Sequence, residues 1–256
     1  MTERQRLELL RPRDLGGLFG DTFNAYFGNL WSFLAIGAAV VVPVELVVSG
    51  LGLGQLTGGY EKHTALAESV IAAAEAYLVI GPLVSAMVVH ALLALADGRR
   101  PSTTAAIVSG LEAFTPVFAA VLMAAVGIVA GFLLIVVGIW LLVRWYFVPQ
   151  AVVVDGRRGA AALQRSAELV TGSWWRVLAI VILAALAAAV PASLIQIPFD
   201  AWAKSADSAA LTLAGQIVSS VLTTPFAALL LTLLYFDLLA RRNLPTTIPP
   251  VAPPTG

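Results

Sequence analysis

Long stretches almost free of charged side chains constrain this chain more than any other feature. Apolar runs read as Trp31–Leu56, Ser69–Ala96, Ala113–Val154, Val177–Phe199 and Ser208–Phe236, broken among acidic, basic and histidine residues only by Glu45, Glu75, His90 and Arg144. A helical crossing of a hydrocarbon core about 30 Å thick needs roughly 20 such residues. Soluble domains carry about a quarter charged residues, whereas this chain is 12% charged and 59% apolar. The sequence therefore predicts an all-α integral membrane protein.

The run Ala113–Val154 is about twice as long as one crossing requires. Arg99 and Arg100 precede it and Arg157 and Arg158 follow it, so the positive-inside rule puts both its ends on the cytoplasmic side. That requires an even number of crossings, which splits the run into helices near Thr115–Val137 and Ile139–Val154, with Gly138 as the turn and Gly127 as a second candidate. About six transmembrane helices result, arranged as three hairpins. Twelve arginines then fall inside, Lys62 and Lys204 fall outside, and Arg144 lies within. This asymmetry predicts a multi-pass protein with both termini cytoplasmic, and the preference for Arg over Lys together with the Ala richness points to a bacterial source, hence a bacterial cytoplasmic (inner) membrane. The segment Met1–Arg13 is too charged for a cleavable signal peptide.

A shorter amphipathic pattern precedes each hairpin. Leu15, Leu18, Phe19, Phe23, Tyr26 and Phe27 oppose Asp14, Gly17, Asp21 and Asn24, with Asp14 suited to an N-cap. Ile107, Val108, Leu111 and Phe114 oppose Thr104, Ser109 and Glu112. Leu163, Ala167 and Val170 oppose Gln164, Arg165, Glu168 and Thr171. Such stripes predict interfacial helices on the cytoplasmic leaflet. Asp97-Gly98-Arg99-Arg100 recurs as Asp155-Gly156-Arg157-Arg158, and Gly28–Ile36 shares letters with Gly172–Ile180. The chain thus divides into a cytoplasmic segment 1–13, one membrane domain 14–242 with possible repeats 14–98, 99–156 and 157–242, and a disordered, Pro-rich cytoplasmic tail 243–256.

Three stretches carry a family likeness: Arg11-Pro-Arg-Asp-Leu-Gly with Asp21-Thr-Phe-Asn-Ala-Tyr26; Arg165-Ser166 with Leu169-Val170, Gly172 and Trp175-Arg-Val-Leu178; and Leu234-Tyr-Phe-Asp-Leu238. The chain resembles the membrane domain of glycerophosphoryl diester phosphodiesterases in a standalone bacterial form. It departs at Phe27-Gly28, where members often carry a basic pair, and at Val137-Gly138, where they often carry Pro-Gly. The resemblance implies a fold. The phosphodiesterase activity belongs to a separate soluble domain with acidic and histidine residues around a metal, and is not implied.

The residues exclude several classes of function. Zero net charge and the lack of a basic stripe argue against nucleic acid, and the absence of cysteine removes thiol chemistry. No Ser/His/Asp set, HExxH motif or nucleotide loop is present, so no enzyme and no cofactor is expected. Gly50-Leu-Gly-Leu-Gly54 reads as an external turn, and Gly127 and Gly131 as a small-xxx-small contact.

The candidate intramembrane polar site comprises Arg144, Glu45, Glu75, His90 and Asp237. If its segment were one perpendicular helix, Arg144 would lie about 16 Å above Asp155. An unpaired Arg at that depth costs about 2.5–3.5 kcal/mol, which predicts a pair with Glu45 or Glu75. His90 is expected to bond a neighbouring carbonyl, and Asp237 to pair with Arg241 one turn on. The function these readings favour is a non-catalytic scaffold or accessory component, its partners membrane phospholipids or another membrane protein. The alternative is a small transporter or lipid-translocating protein using Arg144 with Glu45 or Glu75.

Overall fold

A computed structural model describes residues 8–50 and 75–242. All its regular elements among these residues are helical. They are α1 Leu15–Gly28, α2 Leu30–Gly50, a π-helical turn Ala76–Ile80 running into α3 Gly81–Ala96, α4 Thr103–Gly131, α5 Ile135–Arg144, α6 Val148–Asp155, α7 Ala160–Val170, α8 Trp174–Ala206 and α9 Ala209–Arg242. Six spans are long and apolar enough to cross a membrane: Leu30–Val48, Ala76–Ala96, Thr103–Gly131, Ile135–Asp155, Trp174–Ala206 and Ala209–Arg242. The expected tail 243–256 and the glycine-rich turn beyond Gly50 lie outside the described residues.

The last helix is the hub. It packs against α8, α2, α3, α1 and α7, and Leu229, Leu230, Leu233, Leu234, Tyr235 and Phe236 are fully buried in it. A helix apolar on every side belongs at the centre of a bundle. Pro225 sits inside α9 and cannot donate the bond that the Val221 carbonyl would otherwise receive. Gly37 of α2 approaches that point so closely that a Cβ there would stand 2.7 Å from Val221 O and 2.8 Å from Pro225 Cγ. Tyr26 closes the same region from α1, its hydroxyl donating to Leu222 O at 2.7 Å.

The long apolar run does fold back on itself, but not at Gly138. Helix α4 ends at Gly131, residues 132–134 turn, and α5 starts at Ile135. Gly138 lies inside α5 because Phe132 of the turn folds over it, 2.5 Å from where a Cβ would be. Gly127 lies inside α4 against the Trp145 ring, and Gly131 faces Gly138, so this pair does bring two helices close. The returning crossing is not continuous either. It breaks at Trp145–Phe147 between α5 and α6, and Ser166 of α7 repairs the gap, accepting from Phe147 N at 3.1 Å and donating to Arg144 O at 2.9 Å.

The amphipathic segments differ from one another. Asp14 caps α1 by accepting from Gly17 N at 2.8 Å. Its stripe splits, with Leu18 and Tyr26 buried and Leu15, Phe23 and Phe27 exposed. The second pattern forms no separate helix, because Thr103–Gly131 continues without interruption and Ser102 caps it. The third is α7, where Gln164 and Glu168 are exposed but Arg165, assigned by periodicity to the polar face, is buried. The two Asp-Gly-Arg-Arg tracts share shape as well as letters: Gly98 and Gly156 end their helices at φ 71° and 64°, a conformation that favours glycine.

Candidate functional site

Asp237 is fully buried and holds three parts of the chain together. Its carboxylate accepts from Arg13 N at 2.6 Å, from Arg176 Nη2 at 2.9 Å and from Arg241 Nε at 3.0 Å. Arg176 and Arg241 also donate to Arg13 O, at 2.8 and 2.6 Å. The one-turn pair with Arg241 is thus present as one arm of a knot that ties the segment before α1 to α8 and α9. Arg13, itself buried, bonds Asp21 at 2.7 Å, and Arg11 reaches the same oxygen at 2.8 Å. Burial works against the charge of Asp21, but the bonds from Arg13 and Arg11 outweigh it and hold the carboxyl below its ordinary value. With its acceptors saturated, Asp237 is a structural anchor.

A second knot was not foreseen. Arg165 Nε meets Asp155 Oδ2 at 2.5 Å, and the Tyr235 hydroxyl donates to that oxygen at 2.8 Å, joining α6, α7 and α9. Its members do stand in tracts the sequence singles out: Arg165 and Tyr235 in the family-like stretches, Asp155 in the repeated Asp-Gly-Arg-Arg. The same stretches supply Arg11, Arg13, Asp21, Tyr26, Ser166, Arg176 and Asp237. Shared letters at helix junctions were the available signal, and what they encode here is ion pairing and junction repair.

Arg144 does not pair with Glu45 or Glu75. The expected depth assumed one straight helix, and the break at Trp145–Phe147 removes that premise. Arg144 closes α5, where a cation suits the helix C-terminus, and its guanidinium lies over the Trp140 ring at 4.6 Å. It lines a cavity of about 160 Å³ with Trp140, Thr171, Gly172 and Trp174, at the start of α8. Among the described residues it makes no ion pair. Glu45 instead binds across to α9, where Gln216 Nε2 donates to both its oxygens at 3.1 and 3.0 Å. Glu75 Oε1 is buried without a hydrogen-bond partner. His90 is exposed and bonds no carbonyl among the described residues. The five candidate residues therefore form no single site.

A different place gathers irregular backbone. The π-helical turn with Gly81 and Pro82, the break with the adjoining Pro149, and α9 beside Pro225 border a half-open cavity of about 200 Å³. Non-helical backbone at membrane depth is tolerated where protein or a cavity surrounds it. Gln150 lines this space, 2% exposed, and its Oε1 has no hydrogen-bond partner. No group of three acidic, histidine or cysteine residues that could hold a metal ion occurs among the described residues.

A family model matches residues 34–238, from early α2 to the Asp237 knot. The chain belongs to that family, described as Domain of unknown function (DUF7847). The match covers both the Arg144 cavity and the Gln150 cavity and leaves out α1, so the DUF7847 region contains the bundle without the helix that Tyr26 and Arg13 fasten to it. No match was found among curated proteins or among solved structures.

Proposed function

We propose that this protein is a non-catalytic component of the bacterial cytoplasmic membrane that engages anionic phospholipid at Arg144. In this reading the six apolar helices cross the bilayer as three hairpins, both termini are cytoplasmic, and the exposed rings of Phe23, Phe27, Trp31 and Trp175 sit at headgroup level beside the arginine-rich junctions. Helix α1 is the interfacial element of this arrangement. The resemblance to the phosphodiesterase membrane domain belongs to the same proposal, as a likeness of membrane architecture and without its hydrolase.

The observation that carries the reading is the state of Arg144. A half-buried guanidinium stacked on Trp140, beside a cavity and without a carboxylate partner among the described residues, offers its donor edge to a planar or tetrahedral anion, and phosphate is the abundant one at a membrane surface. The test is gentle extraction in native lipid, followed by mass spectrometry of what accompanies wild-type protein and Arg144→Gln. Enrichment of anionic phospholipid in the wild type, lost in the variant, is the expected result. Equal lipid retention by both proteins would overturn it. Substrate movement by the reconstituted protein would favour the transporter instead.

A further inference from the structure

The Arg144 reading leaves the second cavity unused. We propose that the space between the π-helical turn of α3, the α5–α6 break and α9 is a binding site for a small uncharged amphiphile whose hydroxyl group bonds Gln150. Three observations converge on this.

The first is construction. Three of its walls are places where a helix departs from regular hydrogen bonding: Ala76–Ile80 winds as a π-helix, Trp145–Phe147 forms a turn between two helices, and α9 carries Pro225 near its middle. π-Turns inside α-helices are frequent at functional sites, and in secondary transporters interrupted membrane helices border ligands near the bilayer midplane. Here Ser166 spends its only hydroxyl keeping one interruption intact.

The second is the orphaned amide. Gln150 is almost wholly buried, lines the cavity, and leaves Oε1 without a partner. Leaving a buried polar group unpaired is destabilising, and a ligand that bonds it would remove that cost. An amide can turn either its donor or its acceptor edge to the cavity, and a hydroxyl, which both donates and accepts, answers either edge.

The third is the remaining lining. Among the described residues no acidic, basic or histidine side chain borders the space, while Tyr77, Trp145, Tyr146 and Leu231 do. An ion entering there would lose its water without compensation, so the ligand is neutral. A dry cavity of about 150 Å³ holds a benzene ring, and about 200 Å³ therefore takes a ring or short chain with one polar group. The proposal does not depend on Arg144, which lines a different cavity.

The test uses full-length protein in detergent labelled with 5-fluorotryptophan, the Trp145 resonance being assigned through Trp145→Phe. Three benzyl-type probes are titrated at matched micellar concentrations: benzyl alcohol, toluene and benzylammonium. Benzyl alcohol should move the Trp145 resonance at about fivefold lower concentration than toluene, as one net hydrogen bond predicts, and benzylammonium should leave it in place. The other five tryptophans report non-specific effects of each probe. In Gln150→Leu the order of alcohol and toluene should reverse. Toluene matching benzyl alcohol in the wild type, or no probe moving the resonance, would overturn the proposal even if the Gln150 variant failed to fold.

Discussion

The Ser166 hydroxyl donates to the Arg144 carbonyl, 2.9 Å away and twenty-two positions earlier in the chain. Ser166 Oγ in turn accepts from Phe147 N at 3.1 Å, so one small side chain serves both lips of the break between α5 and α6. Intramembrane hydrogen bonds average about 0.6 kcal/mol and reach about 1.7. Replacing Ser166 by Ala removes two, and should lower stability by about 1–2 kcal/mol in an SDS-driven unfolding titration. An unchanged midpoint would mean that the break holds itself open without help.

Gly37 and Gly28 should respond oppositely to the same methyl group. A Cβ at Gly37 meets Val221 O at 2.7 Å, whereas nothing lies within 4 Å of one at Gly28. Overpacking of this kind costs about 1–3 kcal/mol, so Gly37→Ala should reduce the thermal midpoint clearly and Gly28→Ala should not. Equal effects from the two variants would contradict a close α2–α9 approach.

Asp237→Ala strips one carboxylate from Arg13, Arg176 and Arg241 at once. Breaking a buried ionic cluster by removing one member costs about 3–5 kcal/mol. The folded yield on size exclusion should collapse, whereas Asp237→Asn, which keeps part of the acceptor geometry, should be recovered in reduced amount. Wild-type yield from the Ala variant would show the knot to be dispensable.

The N-terminal arm should be acid-sensitive through Asp21. Its carboxyl is held below the usual 3.8 in the folded protein, burial being outweighed by Arg13 and Arg11. A depressed folded value gives stability that is complete above the unfolded value and is lost as pH falls through the folded one. Comparing thermal midpoints of wild type and Asp21→Asn from about pH 5 to pH 2, the gap between them should narrow steadily with acidification. A constant gap would sever the link to this carboxyl.

Much of the fold was legible because hydropathy and arginine placement are one-dimensional quantities. The described part of the run Trp31–Leu56, as far as Gly50, and the run Val177–Phe199 lie in helices, and the doubled length of Ala113–Val154 goes with a turn at residues 132–134. The turn lies there and not at Gly138, because that glycine gives Phe132 room and does not bend the backbone. Arg144 departs from its expected depth for a related reason: a depth counted along a straight helix fails at a turn, and nothing in Arg144-Trp-Tyr-Phe147 announces that turn without Ser166 beside it. Arg165 shows the limit of periodicity, since a buried ion pair with Asp155 reverses the face that polarity assigns. Gln150 gave no signal at all. A single amide in an apolar run becomes informative only when its missing partner can be seen.

The central position of α9 sets an order of assembly opposed to the order of synthesis. Arg13 emerges first, yet its backbone partner, Asp237, lies 224 residues later. Translation at about 5–20 residues per second separates them by roughly 11–45 seconds. Throughout that interval the earlier helices occupy the membrane around an absent axis, with the faces of α2, α3 and α8 that α9 covers still open to lipid or to one another. A chain stopped anywhere before Ala209 is therefore not a smaller version of this protein but a ring of staves without its post, and such fragments are the natural substrates of membrane quality control.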